Sequence, residues 1–168
     1  MNDADSIVEL IPRLRRYARA LAGDSAVADD LVQDTLERAW TELHLYRRGT
    51  DLRAWLFTVM HNVFVNQRRA AKPSSVLEDD MPELAQPVSD IDGLVLRDLD
   101  AAIRKLPVDQ REVLLLVALE DMSYEEAAGT LGIPIGTVMS RLARAREKLR
   151  AMLSGQSAAP GAQLKIVK

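Results

Sequence analysis

The feature that most constrains this chain is a stretch without periodicity, residues 73–93, between two blocks whose apolar residues recur at helical spacing. The stretch carries Pro73, Pro82 and Pro87, several serines and six acids, but no base. Proline, serine and one sign of charge without helical or strand period indicate a linker. We therefore predict an all-α fold of two small helical domains at residues 1–72 and 94–153, joined by a flexible acidic linker at 73–93, with a disordered tail at 154–168.

The N-terminal block predicts three helices, at about residues 7–21, 26–43 and 52–71. Gly23-Asp24-Ser25 and Gly49-Thr50-Asp51 separate them, and each triplet supplies a glycine followed by N-cap candidates. In the second helix the predicted core stripe includes Trp40, while Asp30, Asp34 and Glu37 share the opposite face. Taken alone, such a pattern is typical of a solvated acidic surface.

Composition excludes several classes of protein. The chain has no cysteine, which excludes disulfides and thiolate metal sites, and only two histidines, His44 and His61, without metal-ligand spacing. No phosphate-binding or nucleophile motif is present, so we expect neither an enzyme nor a metal or other cofactor. Because the first residues lack an apolar signal segment and no stretch is long enough to cross a bilayer, we expect a cytoplasmic protein without direct membrane insertion, monomeric when free.

The C-terminal block predicts a helix-turn-helix. Ser123 and Glu126 form a capping box that opens a short helix ending near Leu131, and the turn Gly132-Ile133-Pro134 follows. The longer helix after it runs to about residue 153, with Ile135 among the residues on its predicted buried side. Short helix, glycine turn and longer basic helix in this order indicate DNA binding.

The longer helix has the side chains that a recognition helix needs. Thr137 and Ser140 are small or hydrogen-bonding residues in its first turns, and four cations follow along it: Arg141, Arg144, Arg146 and Lys148. The alternative is an ordinary basic amphipathic helix packed in a bundle. Net charge is only −3, but the bases are concentrated after Pro134 and the acids in the linker, which favours a polyanion-binding surface.

Five motifs together resemble the extracytoplasmic-function (ECF) sigma factors. They stand in order as ADDLVQDT at 28–35, LRAWL at 52–56, LPVDQREV at 106–113, SYEEAA at 123–128 and GTVMSR at 136–141. The resemblance covers nearly all of residues 8–153. It implies a protein that binds core RNA polymerase, at its clamp helices and flap, and directs it to promoter DNA.

The resemblance also implies which residues act. The N-terminal domain would recognise and melt the minus 10 element by trapping a flipped base, and the C-terminal domain would read the minus 35 element as duplex. The expected minus 10 contacts are Tyr46, Val59, Asn62, Arg68, Arg69 and Lys72. The expected minus 35 contacts are Thr137, Ser140, Arg141, Arg144, Arg146 and Lys148. The expected polymerase-binding residues are Asp30, Gln33, Asp34 and Glu37. Some relatives have arginine at the position of Met139 and an aromatic residue at that of Ala143, so fewer minus 35 contacts are expected here.

Family members are commonly held inactive by an anti-sigma factor, and we expect such a partner and a response to stress or another signal. Two alternatives stay open at this point. A dimeric helix-turn-helix repressor or activator would explain residues 123–150 but not 28–72. A sigma-like decoy that binds an anti-sigma factor instead of DNA would explain both blocks, but such decoys carry a receiver domain, for which we find no room.

Overall fold

A computed structural model describes residues 2–71 and 91–157, with the side chains of 2–71 and 97–155. All regular structure in these ranges is helical, which confirms the predicted all-α class. The helices are α1 (Asp3–Ala22), α2 (Ser25–Glu42), α3 (Leu52–Ala71), α4 (Ile91–Arg104), α5 (Val108–Leu114), α6 (Tyr124–Leu131) and α7 (Ile135–Ser157). A 3-10 turn, Leu43–Leu45, extends α2, and a π-type turn, Leu115–Leu119, continues α5.

The turn between α1 and α2 forms as its residue types predict. Gly23 ends α1 with a φ of 77°, a left-handed conformation that glycine adopts without a Cβ penalty. Asp24 then caps α2, since its carboxylate accepts a hydrogen bond of 2.8 Å from the backbone N–H of Ala26. The chain thereby reverses direction over two residues, and α1 packs along α2.

The predicted helix-turn-helix is present in α6 and α7. Ser123 caps α6 by accepting from the N–H of Glu126 at 3.0 Å, while the Glu126 carboxylate accepts from the N–H of Ser123 at 2.9 Å. Gly132 ends α6 with a φ of 67°. The capping box fixes where α6 begins, and the glycine turn ends α6 and leads the chain into α7.

The core is continuous through both halves of the chain. Each half contributes fully buried side chains, among them Leu14, Leu56 and Phe57 from the first, and Val113 and Leu142 from the second. Tyr17 packs edge-on against Phe57, with ring centroids 5.0 Å apart. The two halves are therefore in contact, and apolar burial stabilises their association.

The structure corrects two predicted core positions. Trp40 is 48% exposed because it lines the open groove between α1 and α2, and Ile135 is 42% exposed because it is the first residue of α7. Val138, Leu142 and Ala145 are buried as expected.

Two helices extend beyond the predicted domain limits. Helix α4 begins at Ile91, inside the segment assigned to the linker, and α7 continues to Ser157, inside the predicted tail. Lys72, the rest of the linker and residues 158–168 lie outside the described residues, so the predicted flexibility of the linker and disorder of the tail stay predictions.

Candidate nucleic-acid interface

Helix α7 presents most of its predicted DNA-contacting residues to solvent. Its inward face is buried, and Ser140, Arg144, Arg146 and Lys148 are all exposed, while Thr137 is partly exposed. Exposed guanidinium and ammonium groups on a helix in this setting suit phosphate contacts, and Ser140 in the second turn is short enough to let the backbone approach base edges. The arrangement can bind a polyanion along the exposed surface of α7.

Arg141 has a different environment. Its side chain is 30% exposed, and its Nε lies 3.6 Å from a carboxylate oxygen of Asp109, near the start of α5. The ion pair links the recognition helix to the helix behind it. Arg141 therefore positions α7 in this conformation as well as adding positive charge to the surface.

One of the minus 10 candidates, Tyr46, lies in a small aromatic corner at the start of α3. The hydroxyl of Tyr46 donates to the carbonyl of Thr50 at 2.6 Å, and the Tyr46 ring lies 5.4 Å from that of Trp55, centroid to centroid. Asn62 is exposed two turns further along α3. Val59, in contrast, is 4% exposed and belongs to the core, so in this conformation its side chain does not line an open base pocket.

The basic end of α3 is partly engaged by the protein itself. The guanidinium carbon of Arg68 lies 5.5 Å from the ring centroid of Phe64, a cation–π distance, whereas Arg69 is exposed. Lys72 lies outside the described residues. Of the two described cations, Arg69 is the more exposed.

The predicted polymerase-binding residues lie together on the outer side of α2. Asp30, Gln33, Asp34 and Glu37 are all exposed, and Asp34 accepts a hydrogen bond of 2.7 Å from Gln67 of α3. Beside this acidic face runs a shallow groove of about 590 Å³ between α1 and α2. Its lining includes Arg15, Arg19, Val32, Leu36 and Trp40.

A buried glutamate joins the two halves, and no sequence pattern predicted it. Glu120 is fully buried, with Arg13 Nε 3.0 Å and Arg16 Nη2 3.5 Å from its carboxylate oxygens. Arg53 of α3 donates to the Glu120 backbone carbonyl, and its guanidinium also lies 3.6 Å from the Glu126 carboxylate. We call this set of five residues, Arg13, Arg16, Arg53, Glu120 and Glu126, the arginine seam.

Two further contacts join the halves. His61 of α3 has its Nδ1 2.7 Å from a carboxylate oxygen of Glu112 in α5. Arg111 donates to the carbonyl of Leu21 at the end of α1 at 2.6 Å, and also to the carbonyls of Arg104 and Leu106 at 2.6 and 2.8 Å. One guanidinium thus donates to carbonyls at the ends of two helices, where the last carbonyls have no hydrogen-bond partner within their own helix.

Burial at this contact affects one titratable group strongly. Tyr17 is 3% exposed, and this burial raises the pKa of its hydroxyl well above the ordinary value of 10.0, with the charges of Glu112 and Glu120 adding to the effect. Within residues 2–71 and 91–157, no three acidic or histidine side chains are grouped to hold a metal ion. None of the described helices has the length and apolar character that crossing a membrane requires.

Comparisons with family models match each half separately. Residues 7–61 match the model described as the sigma2 domain of PhyR, and residues 96–149 match the model described as sigma-70, region 4. The second match contains α5, α6 and most of α7. It therefore covers the helix-turn-helix together with the helix that packs behind it.

Named relatives match over most of their length. The chain is 41% identical to the ECF RNA polymerase sigma factor EcfG of Rhodopseudomonas palustris, over 89% of this chain and 83% of that protein. It is 36% identical to the ECF RNA polymerase sigma factor SigL of Mycobacterium tuberculosis, over 83% of this chain and 82% of SigL.

Solved structures show the same fold. The sigma factor RpoE of Bartonella quintana, in complex with the anti-sigma factor NepR, has a TM-score of 0.77 and 35% identity, covering 90% of this chain and 96% of RpoE. CnrH, in complex with the cytosolic domain of CnrY, has a TM-score of 0.68 and 29% identity, covering 92% of this chain and 88% of CnrH.

Proposed function

The chain belongs to the ECF RNA polymerase sigma factors, and from that premise we propose that it binds core RNA polymerase and selects promoters by a minus 35 and a minus 10 element. In this proposal α7 reads the minus 35 element in the duplex, and the corner at the start of α3 holds a base flipped from the minus 10 element. The acidic face of α2 docks on the polymerase clamp helices. An anti-sigma factor holds the protein inactive until a signal arrives.

The observation that carries the proposal is the exposed basic side of α7 within a capped helix-turn-helix. Arg144, Arg146 and Lys148 are exposed while the opposite face of the same helix is buried, so the positive charge faces away from the protein. Cations so placed contact phosphates, and the first turns of the helix then reach base edges in the major groove. This part of the chain also matches region 4 of sigma-70.

We propose that Tyr46 and Asn62 receive the flipped base. Tyr46 offers a ring face for stacking, and the exposed amide of Asn62 offers both a donor and an acceptor to a base edge. Because Val59 is buried, it would form the apolar wall of the pocket only after a rearrangement that exposes it. Stacking offsets part of the few kcal/mol that unstacking a base costs, about 1–3 kcal/mol per base.

Polymerase docking would use charge together with one aromatic anchor. The acids of α2 complement basic residues on a partner, which favours encounter and orientation. Trp40, half exposed at the rim of the neighbouring groove, is the type of residue that most often dominates the free energy of binding at a protein interface. Leu36 extends the apolar part of that groove toward α1.

Promoter binding would require the two halves to separate. The two elements are named for positions about 25 base pairs apart, which is about 85 Å of B-DNA at about 3.4 Å per base pair. A compact body of about 140 residues has a radius of gyration of only about 14 Å. Residues 72–90 separate α3 from α4, and a segment of that length can reach at most about 70 Å.

Control by an anti-sigma factor is supported by the solved relatives. RpoE and CnrH were both determined in complex with a protein partner, NepR in the first case and CnrY in the second. An inhibitor that favours the closed arrangement would keep α3 and α7 from reaching two promoter elements at once. We expect a partner of this kind to bind the present chain.

The proposal is tested by transcription in vitro with purified bacterial core RNA polymerase. We expect core enzyme to capture the full chain and to start RNA synthesis at a defined site only when the chain is present. The double substitution Asp34→Lys, Glu37→Lys should reduce capture more than tenfold, because it reverses two charges on the docking face. The control Asp98→Asn, an exposed acid on α4, should not. Core enzyme that neither binds the chain nor gains a start site from it would refute the proposal.

A second candidate function is a decoy that titrates an anti-sigma factor. It is favoured by the match of residues 7–61 to the sigma2 domain of PhyR, since a PhyR structure of the same fold is described as an anti-anti-sigma factor bound to NepR. The transcription assay separates the two candidates. A decoy would bind the anti-sigma factor but would give no transcript with core enzyme.

A further inference from the structure

The recognition helix has two exposed apolar side chains that the core does not use. Ile135 is 42% exposed and Met139 is 51% exposed, and they lie four residues apart on one side of α7. The core instead takes Val138, Leu142 and Ala145. Two large apolar residues in the first two turns of this helix, one after the other, mark a surface that another molecule covers.

The surroundings of this patch favour duplex DNA as that molecule. On a helical projection Met139 lies next to Ala143 and Gly136, whose small side chains permit close approach. Exposed Arg144 lies at the far edge of this strip, and exposed Arg146 lies two turns beyond Met139 on the same side. Positive charge beside the patch complements phosphates on either side of a groove. An apolar protein partner would not need these cations.

Within the major groove, one group has the chemistry that Met139 fits. The C5-methyl of thymine is the apolar group on the base edges, whereas guanine, cytosine and adenine present donors and acceptors there. A thioether cannot donate the two hydrogen bonds that arginine gives to guanine, but it is flexible and polarizable, so it can pack on a methyl group. Burying one methyl group changes affinity by about fourfold.

We propose that Met139, with Ile135 beside it, is a specificity-determining residue that selects thymine in the minus 35 element by contact with its methyl group. The inference rests on the proposed function, because it assumes that α7 enters the major groove of promoter DNA. The inference adds the base that α7 prefers and the atoms that make the contact.

The experiment uses the full chain, core RNA polymerase and a template library randomised across the minus 35 region. Thymine should be enriched at one or two neighbouring positions among transcribed templates. On one selected promoter, replacing those thymines by deoxyuridine removes only the methyl groups, and initiation should fall about threefold to fivefold per methyl. Met139→Ala should lower initiation on the thymine template to the deoxyuridine level and abolish the difference between the two templates.

Two further variants make the test specific. Met139→Arg should shift the selected base from thymine toward guanine. Arg144→Ala, the matched control on the same helix, should lower initiation on both templates and keep their ratio. Equal initiation on thymine and deoxyuridine templates by the unaltered chain would overturn the inference while the proposed function stands.

Two further outcomes of the experiment would also decide the inference about Met139. If Met139→Ala left both templates unchanged but weakened binding to an anti-sigma factor, the patch would be a protein-docking surface and the inference would be wrong. If no template gave a defined start site, the proposed function itself would fail, and the inference with it.

Discussion

Tyr17 shows how single polar residues depend on the contact between the two halves. Its ring packs on Phe57, and its hydroxyl lies in a buried region that Glu112 and Glu120 make more negative. Both factors disfavour the phenolate, which is why the pKa of the hydroxyl is raised. The two acids come from the C-terminal half, about a hundred residues away along the chain, so this environment exists only while the halves are packed together.

The raised pKa of Tyr17 predicts a fall in stability at alkaline pH. An unfolded tyrosine releases its proton near pH 10, but the folded chain retains it, so above that pH the unfolded state binds fewer protons. The free energy of unfolding should therefore fall as pH rises above 10, by about 1.4 kcal/mol per pH unit from this one group, until the folded tyrosine also ionises. Below pH 10 the group has no such effect.

Tyr17→Phe tests this directly. Urea unfolding of both proteins between pH 7 and pH 11 should give a shallower alkaline decline for the variant, because the titrating group is gone. Parallel curves for the two proteins across the whole range would show that Tyr17 does not contribute to the decline.

At the scale of the element, the helix-turn-helix was predictable because short-range backbone geometry specifies it. Ser123 and Glu126 complete a reciprocal pair within four residues, and Gly132 has the left-handed conformation that glycine favours. Neither feature depends on distant parts of the chain. The turn at Gly23 was predictable for the same reason.

Exposure within an element was harder to predict. Trp40 and Ile135 were both assigned to the apolar stripes of their helices. Trp40, however, lines the open groove between α1 and α2, and Ile135 is the first residue of α7, so both are exposed. Glu120 is an acid that no sequence pattern singles out, and it is fully buried. Periodicity gives the face of a helix but not the extent of its neighbour, which is set by tertiary packing.

Two glycine substitutions, one within α6 and one in the turn that ends it, test whether backbone geometry stabilises the helix-turn-helix. Gly132→Ala should reduce the free energy of unfolding by about 1–2 kcal/mol, because a side chain at a φ of 67° is strained even though no atom lies within 4 Å of the new Cβ. Gly129→Ala, three residues earlier in the helix and equally uncrowded, should increase it by about 0.5–1 kcal/mol.

Urea unfolding measures both variants. The opposite signs separate backbone strain from crowding, since the two sites differ in conformation and not in space. A loss of stability in both variants would contradict the assignment of strain to the turn.

At the scale of the whole molecule, the arginine seam holds the two halves in one closed body. Glu120 has two guanidinium groups on its carboxylate and a third on its backbone carbonyl, all from the N-terminal half. Its desolvation is offset only while these partners are present. Opening the molecule returns Glu120 to water, so the seam can separate without leaving a charge buried alone.

This arrangement predicts a measurable opening. Because the chain has no cysteine, single cysteines introduced at Ser25 and Ala151, both exposed, can carry a donor and an acceptor dye. Energy transfer should be high in the free protein and should fall when core RNA polymerase binds. Glu120→Gln should lower transfer in the free protein already, because it weakens the ion pairs of the seam.

The control for that measurement is Asp98→Asn, which removes a charge of the same sign outside the seam. It should leave the transfer efficiency of the free protein unchanged. Transfer that stays the same on binding to core enzyme would mean that the halves do not separate.

The bond from Arg111 to the carbonyl of Leu21 has a consequence for synthesis. Arg111 comes ninety positions after Leu21, so a ribosome adding about 5–20 residues per second needs roughly 5–20 s after making Leu21 before Arg111 exists. During that interval the first helix of the nascent chain ends without its final partner. The amino-terminal half therefore completes its native hydrogen bonds only after the second half has been translated.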